Sequence, residues 1–198
     1  MNRLLHITDL HFNQKACRWL ENVTTQFDLL CISGDLFNDS HYVAETLEEQ
    51  AIWYRRFFQR LDKSIYLCSG NHDWVDGQNW TDSLKMERVF TDGSMTNTTH
   101  GIIGCVPYGT VNFAPYKNCK ILLHHEPPKG SKTARQNGTD LGNKDLLEAL
   151  DLGIITPDYL LCGHVHQPKS NGVRRGENLI IVNPGSSDKS PKTQLIKL

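Results

Sequence analysis

Apolar residues gather in five short runs, at 4–7, 27–32, 64–68, 121–123 and 159–162, each bounded by polar positions. Runs this short and this apolar predict buried strands rather than amphipathic helices. Between them lie stretches of helical length at 15–25, 41–61, 83–89 and 144–150, the second with Ile52, Trp53, Arg56 and Phe57 at helical spacing. Strands alternating with helices predict an α/β architecture. The region 90–113, with Gly93, Thr96 to Thr99, Ile102, Ile103 and Val106, reads as β-rich with turns, and 178–183 and 193–196 add late strands. A second sheet is therefore expected. No repeat, low-complexity tract or Pro/Gly-rich linker divides the 198 residues, so residues 1–198 are expected to form a single domain.

The polar residues that close those runs carry the chemistry. They are Asp9-Leu10-His11, Gly34-Asp35, Gly70-Asn71-His72-Asp73, His124-His125 and Gly163-His164-Val165-His166. Asp, Asn and His together offer the oxygen and nitrogen donors that suit Mn, Fe, Zn or Co, unlike the thiolates of a structural zinc site. Open α/β sheets bind ligands beyond the carboxyl ends of their strands, so five clusters at strand ends can assemble into one site. The set reads as a two-metal centre that hydrolyses phosphate esters.

Composition narrows the partners. With 21 Lys+Arg against 22 Asp+Glu the net charge is -1, so no global field steers the chain to nucleic acid or to an acidic membrane. Cys17, Cys31, Cys68, Cys105, Cys119 and Cys162 form no C-x-x-C pair and are expected to be reduced. The apolar stretch before Asp9 is too short for a signal-peptide core or a membrane span, and a cytoplasmic location is the expectation.

The order D-x-H, GD, GNHD, strand-terminal His and GHxH, from Asp9 to His166, resembles the calcineurin-like metallophosphoesterase superfamily. The resemblance implies a four-layer α-β-β-α sandwich of two mixed sheets. It further implies Asp9, His11 and His166 on one metal, Asn71, His124 and His164 on the other, and Asp35 bridging. Mn²⁺ is the favoured ion, with Fe, Zn, Co or Ni as alternatives. Of His124 and His125 the first is favoured as ligand, leaving His125 towards substrate or solvent. A bridging carboxylate offsets the repulsion of two dications, and with Asp9 and a bridging hydroxide leaves a site of about +1 that attracts phosphate. That hydroxide is the implied nucleophile, and His72 the implied substrate contact and proton donor. Catalysis is thus assigned to His72 and Asp35, with His125 and Asn38 as further substrate contacts.

Two departures bear on the substrate. Protein phosphatases of the superfamily carry GDxxDRG, whereas this chain has Asn38 at the second Asp and a neighbouring Asp39 that could substitute. Glu126 also interrupts a His-His-Pro-Pro run. A phosphodiesterase acting on a small or nucleotide-derived ester is the leading expectation. Phosphomonoesterase or protein phosphatase, a nuclease of the superfamily, and a metal-binding interaction scaffold are the alternatives. Nucleic acid is not favoured as a partner, and no membrane is expected. Trp74 and Trp80 are read either as base-stacking platforms or as loop packing. The basic segment 129–138 either holds a distal phosphate or is a solvated loop, and Arg174 and Arg175 are assigned to a turn. His6, His41 and His100 are read as ordinary core or surface residues.

Overall fold

Strand and helix alternate at first: β1 (Arg3–Ile7), α1 (Gln14–Asn22), β2 (Leu29–Ser33), α2 (Leu47–Arg60) and β3 (Ser64–Cys68) in the computed structural model, which describes residues 3–198. A two-strand ribbon of β4 (Trp74–Val75) and β5 (Gln78–Asn79) leads to β6 (Val89–Phe90), β7 (Met95–Thr98), β8 (Gly101–Cys105) and β9 (Cys119–Leu123). A second ribbon of β10 (Arg135–Gln136) and β11 (Thr139–Asp140) precedes α3 (Lys144–Asp151) and β12 (Tyr159–Leu161). The chain then adds β13 (Gly172–Arg175), β14 (Leu179–Val182) and β15 (Gln194–Lys197).

Two mixed sheets result, ordered β15-β1-β2-β3-β6 and β13-β14-β12-β9-β8-β7. Strands β1, β2, β3 and β6 run parallel, as do β8, β9, β12 and β14, while β15, β7 and β13 are antiparallel edges. Successive side chains alternate across a strand, and the core follows that parity. Leu4, Cys31, Tyr66 and Cys68 face Ile103, Ile121, Leu123 and Leu161 between the sheets. Leu5, Ile7, Leu30, Ile32, Ile65 and Leu67 pack outward with Leu20 of α1 and Tyr54 and Phe57 of α2. Leu122, Leu160 and Ile181 pack outward with Leu146 and Ala149 of α3. The architecture is therefore the four-layer α-β-β-α sandwich.

Three local expectations change. Helix α2 starts at Leu47 rather than near residue 41, because Thr46 Oγ1 accepts from Glu49 N–H while Glu49 Oε2 accepts from Thr46 N–H, a capping box that fixes the first turn. No helix forms over 83–89. A 3₁₀ turn ends at Ser83, and Val89 and Phe90 pair with Ile65 and Tyr66 as an edge strand. Arg174 and Arg175 lie in β13, paired with Ile180 and Leu179, not in a turn. All six cysteines are buried and free. Among the described residues no helix is long and apolar enough to cross a membrane.

Candidate metal centre

The parallel strands β1, β2 and β3 release Asp9, Asp35 and Asn71 at one end of the first sheet, and β9 and β12 release the histidine motifs of the second. The backbone turns sharply there: Asp9, His11, Asp35 and His164 all hold positive φ, at 49°, 41°, 55° and 66°. Such conformations cost side-chain-bearing residues about 1–2 kcal/mol each and persist where surrounding contacts over-determine them. Those contacts are backbone hydrogen bonds between motifs. Asp9 N–H and His11 N–H donate to the carbonyls of Gly34 and Asp35, and Gly163 N–H donates to that of His125. A Cβ on Gly70 would collide with the Asp35 side chain, and one on Gly163 with Thr8 Oγ1 and Asp9 Oδ2, so both motifs require glycine.

Two groups of donors share Asp35. In the more open group His11 Nε2 lies 3.1 Å from His166 Nε2, 4.0 Å from Asp9 Oδ1 and 3.7 Å from Asp35 Oδ2. His166 Nε2 is 3.4 Å from Asp9 Oδ1. In the deeper group His125 Nε2 lies 3.3 Å from Asp35 Oδ2 and 3.1 Å from the Asn71 side-chain oxygen, which is also 3.1 Å from His164 Nδ1. Donor atoms of Asp9, His11 and His166 fall within 4.8 Å of one another, as do those of His11, Asp35 and His72 and those of Asp9, Asp35 and His125.

This donor set fits divalent cations on its own geometry. A carbonyl can only accept, so His11 Nδ1, 3.2 Å from Phe37 O, and His125 Nδ1, 2.8 Å from Ser33 O, carry the protons of their rings. Each Nε2 then turns its lone pair towards carboxylate and amide oxygens, an arrangement that only a proton or a metal ion between them relieves. Electrostatics agree. Burial alone would lower His125, but the hydrogen bond and charge of Asp35 raise it to about 9. Burial alone would raise Asp35, but the same bond to His125 holds its carboxyl well below the usual range. Burial would likewise raise Asp9, which its hydrogen bond to His166 lowers, and that bond raises His166. Burial lowers His11 and His164.

The ring that reaches the cluster from β9 is that of His125, not His124. Ile121 and Leu123 face between the sheets while Leu122 faces outward, and this alternation continues through the next two residues. His124 therefore turns towards Phe113, with ring centroids 5.4 Å apart, while its Nδ1 donates to Glu126 O at 2.8 Å. Its Nε2 is buried with no hydrogen-bond partner among the described residues. The expected placement of His124 in the cluster, and of His125 outside it, is thus reversed.

His72 N–H donates to Asp35 Oδ1 at 2.9 Å, and the ring sits edge-on to His11 with centroids 5.1 Å apart. Its Nδ1 lies 3.2 Å from Asp39 Oδ1. Among the described residues the Asn38 side chain bonds elsewhere: its amide donates to His11 O at 3.2 Å, and its oxygen accepts from Ser40 N–H at 2.9 Å. Trp80 is buried against Phe37, with centroids 5.0 Å apart, whereas Trp74 in β4 is exposed. The segment 129–138 is folded. Lys129 N–H donates to Asn143 O, Gly130 N–H to Asp140 Oδ2, and β10 pairs with β11.

Several supporting residues were given no role from the sequence. Asp73 is wholly buried and accepts backbone N–H bonds from Asp35, Leu36, Phe37 and Gly70, tying the second motif to the third. Burial and the Asp35 charge raise it to about 6. Thr8 Oγ1 donates to Asp9 Oδ2 at 2.7 Å and fixes that carboxylate. Asn183 Nδ2 donates to Gly163 O at 2.8 Å and Val165 O at 3.1 Å, bracing the loop that carries His164 and His166. The final Asp of GNHD and the Thr before Asp9 were signals for the first two.

The family model for calcineurin-like phosphoesterases matches residues 2–168. Among solved structures, the TT1561 protein of Thermus thermophilus superposes with a TM-score of 0.66 at 13% identity, over 93% of this chain and 89% of that one. An archaeal phosphodiesterase superposes with a TM-score of 0.53 at 14% identity, covering 99% of each chain. A purple acid phosphatase from yellow lupin reaches 0.50 at 13% identity, over 92% of this chain and 43% of that one. At these identities the likeness is one of fold. No curated protein matches the sequence.

Proposed function

The chain belongs to the calcineurin-like phosphoesterase family and is a hydrolase of phosphate esters, and on that premise we propose a two-metal phosphodiesterase acting on a small or nucleotide-derived ester. The observation that carries the reading is Asp35, whose Oδ2 lies within 3.7 Å of His11 and 3.3 Å of His125, so that one carboxylate serves both donor groups. Asp9, His11 and His166 would hold one ion, Asn71, His125 and His164 the other, with Asp35 common to both. Mn²⁺ is the favoured ion for this oxygen and nitrogen set. When bound, the ions would polarise the phosphoryl group and supply activated water, so that no protein nucleophile is needed.

The chain's own residues do the rest. His72, held by Asp35 through its backbone and by Asp39 through its ring, contacts the substrate and gives a proton to the leaving oxygen. Thr8, Asp73 and Asn183 keep the donors in place before substrate arrives. Asn38 at the second Asp of GDxxDRG, together with the fold shared with an archaeal phosphodiesterase, supports diester preference. The Asp39 carboxylate on His72 is the observation that favours the second reading, a phosphomonoesterase. Six unpaired cysteines fit a reducing compartment, so a cytoplasmic location and a single domain over residues 1–198 complete the proposal.

The test is Mn²⁺-dependent hydrolysis of bis-p-nitrophenyl phosphate against p-nitrophenyl phosphate, with Asp35→Ala as blank. Faster turnover of the diester supports the proposal, faster turnover of the monoester selects the second reading, and turnover that survives Asp35→Ala defeats both.

A further inference from the structure

Strand β8 runs parallel to β9 and ends level with it, Cys105 opposite Leu123, so its carboxyl end opens on the same crevice as His125. The chain then turns at 107–110. Thr110 N–H donates to Pro107 O at 3.3 Å, and Gly109 holds the positive φ, 78°, that the third position of such a turn favours. The turn presents Tyr108. Its ring stands edge-on to that of His125, with centroids 6.0 Å apart and planes at 70°. The side chain is half-buried, and its hydroxyl has no hydrogen-bond partner among the described residues.

The backbone around this tyrosine is tied to the third motif. Tyr108 N–H donates to Ser69 Oγ at 3.0 Å, and Ser69 N–H donates to Asp92 Oδ1 at 2.8 Å. Asn79 Nδ2 joins the same two residues, at 3.3 Å from Ser69 Oγ and 2.7 Å from Asp92 Oδ2. Ser69 directly precedes Gly70-Asn71-His72, so Tyr108 is held in register with Asn71 and His72. Burial raises the hydroxyl above its ordinary value, and the charges of Glu126 and Asp35 raise it further, so it remains a protonated donor at neutral pH. Tyr108 also has a counterpart. His72 stands edge-on to His11 of the more open donor group, as Tyr108 does to His125 of the deeper one. A phosphoryl group seated over both groups would have His72 on one flank and Tyr108 on the other, and its anionic oxygens are strong acceptors.

We infer that Tyr108 is a substrate-contacting residue whose hydroxyl donates to a non-bridging phosphoryl oxygen of the ester, on the flank away from His72. The inference rests on the two-metal reading above. It is tested with Tyr108→Phe, which keeps the ring beside His125 and removes only the donor. Mn²⁺-loaded variant and wild type are compared in metal content, melting temperature, calorimetric titration with inorganic phosphate, and steady-state hydrolysis of bis-p-nitrophenyl phosphate. Metal content and melting temperature stay the same, phosphate affinity falls about tenfold, and KM rises about tenfold while kcat moves by less than about threefold, because the contact is made before and during the reaction alike. Phosphate affinity and KM unchanged in Tyr108→Phe would overturn the contact and leave the metal reading standing. A lost ion or a lowered melting temperature would also overturn it, by making Tyr108 a support for His125. Turnover that survives Asp35→Ala would instead remove the metal reading, and this inference with it.

Discussion

The two faces of the second sheet meet different fates at the end of β9. His125 on the inner face and His124 on the outer face are adjacent, and both are fully buried. Burial pulls each towards the neutral form, yet His124 falls to about 4 while His125 rises to about 9. The difference is the company each keeps. Inside, Asp35 lies 3.3 Å from His125 Nε2 and Asp9 adds its charge; outside, His124 packs on Phe113 and its Nε2 has no hydrogen-bond partner among the described residues. Burial alone makes a histidine a neutral core residue, whereas burial beside carboxylates makes a place for a cation, first a proton and then a metal ion.

Removing the carboxylate that creates this asymmetry has the largest expected effect. Asp35→Ala abolishes both metal binding and turnover, read by metal analysis and by Mn²⁺-dependent ester hydrolysis. Next comes His72→Ala, which leaves metal content intact and lowers kcat on an ester with a poor leaving group by about 10²–10⁴. The direct contrast of faces follows. His125→Ala loses one ion per chain, while His124→Ala keeps both and loses only roughly 0.5–3 kcal/mol in urea unfolding. Asp39→Asn is milder, about tenfold in kcat with unchanged metal content, because it orients His72 rather than reacting.

A pH effect extends the contrast to a third histidine, one buried without a carboxylate in contact. His6 lies between the sheets with Nε2 2.7 Å from Ser33 Oγ, and burial lowers it to about 3 from 6.5. The folded state therefore resists protonation: this contribution is fully present above pH 6.5, declines by about 1.4 kcal/mol per unit below it, and levels off near 3. Between pH 7.5 and 5 the wild type loses roughly 2 kcal/mol more unfolding free energy than His6→Gln. Equal losses in the two proteins would show that His6 does not titrate this way.

The donor motifs were legible because each closes a short apolar run, and parallel strands deliver such ends to one crevice. The choice between His124 and His125 was also legible in principle: Ile121 and Leu123 set a parity that places residue 125, not 124, between the sheets. Asp73 and Asn183 were harder to see, since they act by accepting from or donating to backbone groups of distant segments. The stretch 83–89 misled because its composition suits a helix, whereas Val89 and Phe90 gain more by pairing with β3.

The most direct measurement is the metal content of Mn²⁺-loaded, dialysed protein across the wild type, His124→Ala and His125→Ala. Two ions per chain in the wild type and in His124→Ala, falling to one in His125→Ala, is the expected result. Two ions retained in His125→Ala with one lost from His124→Ala would contradict the account.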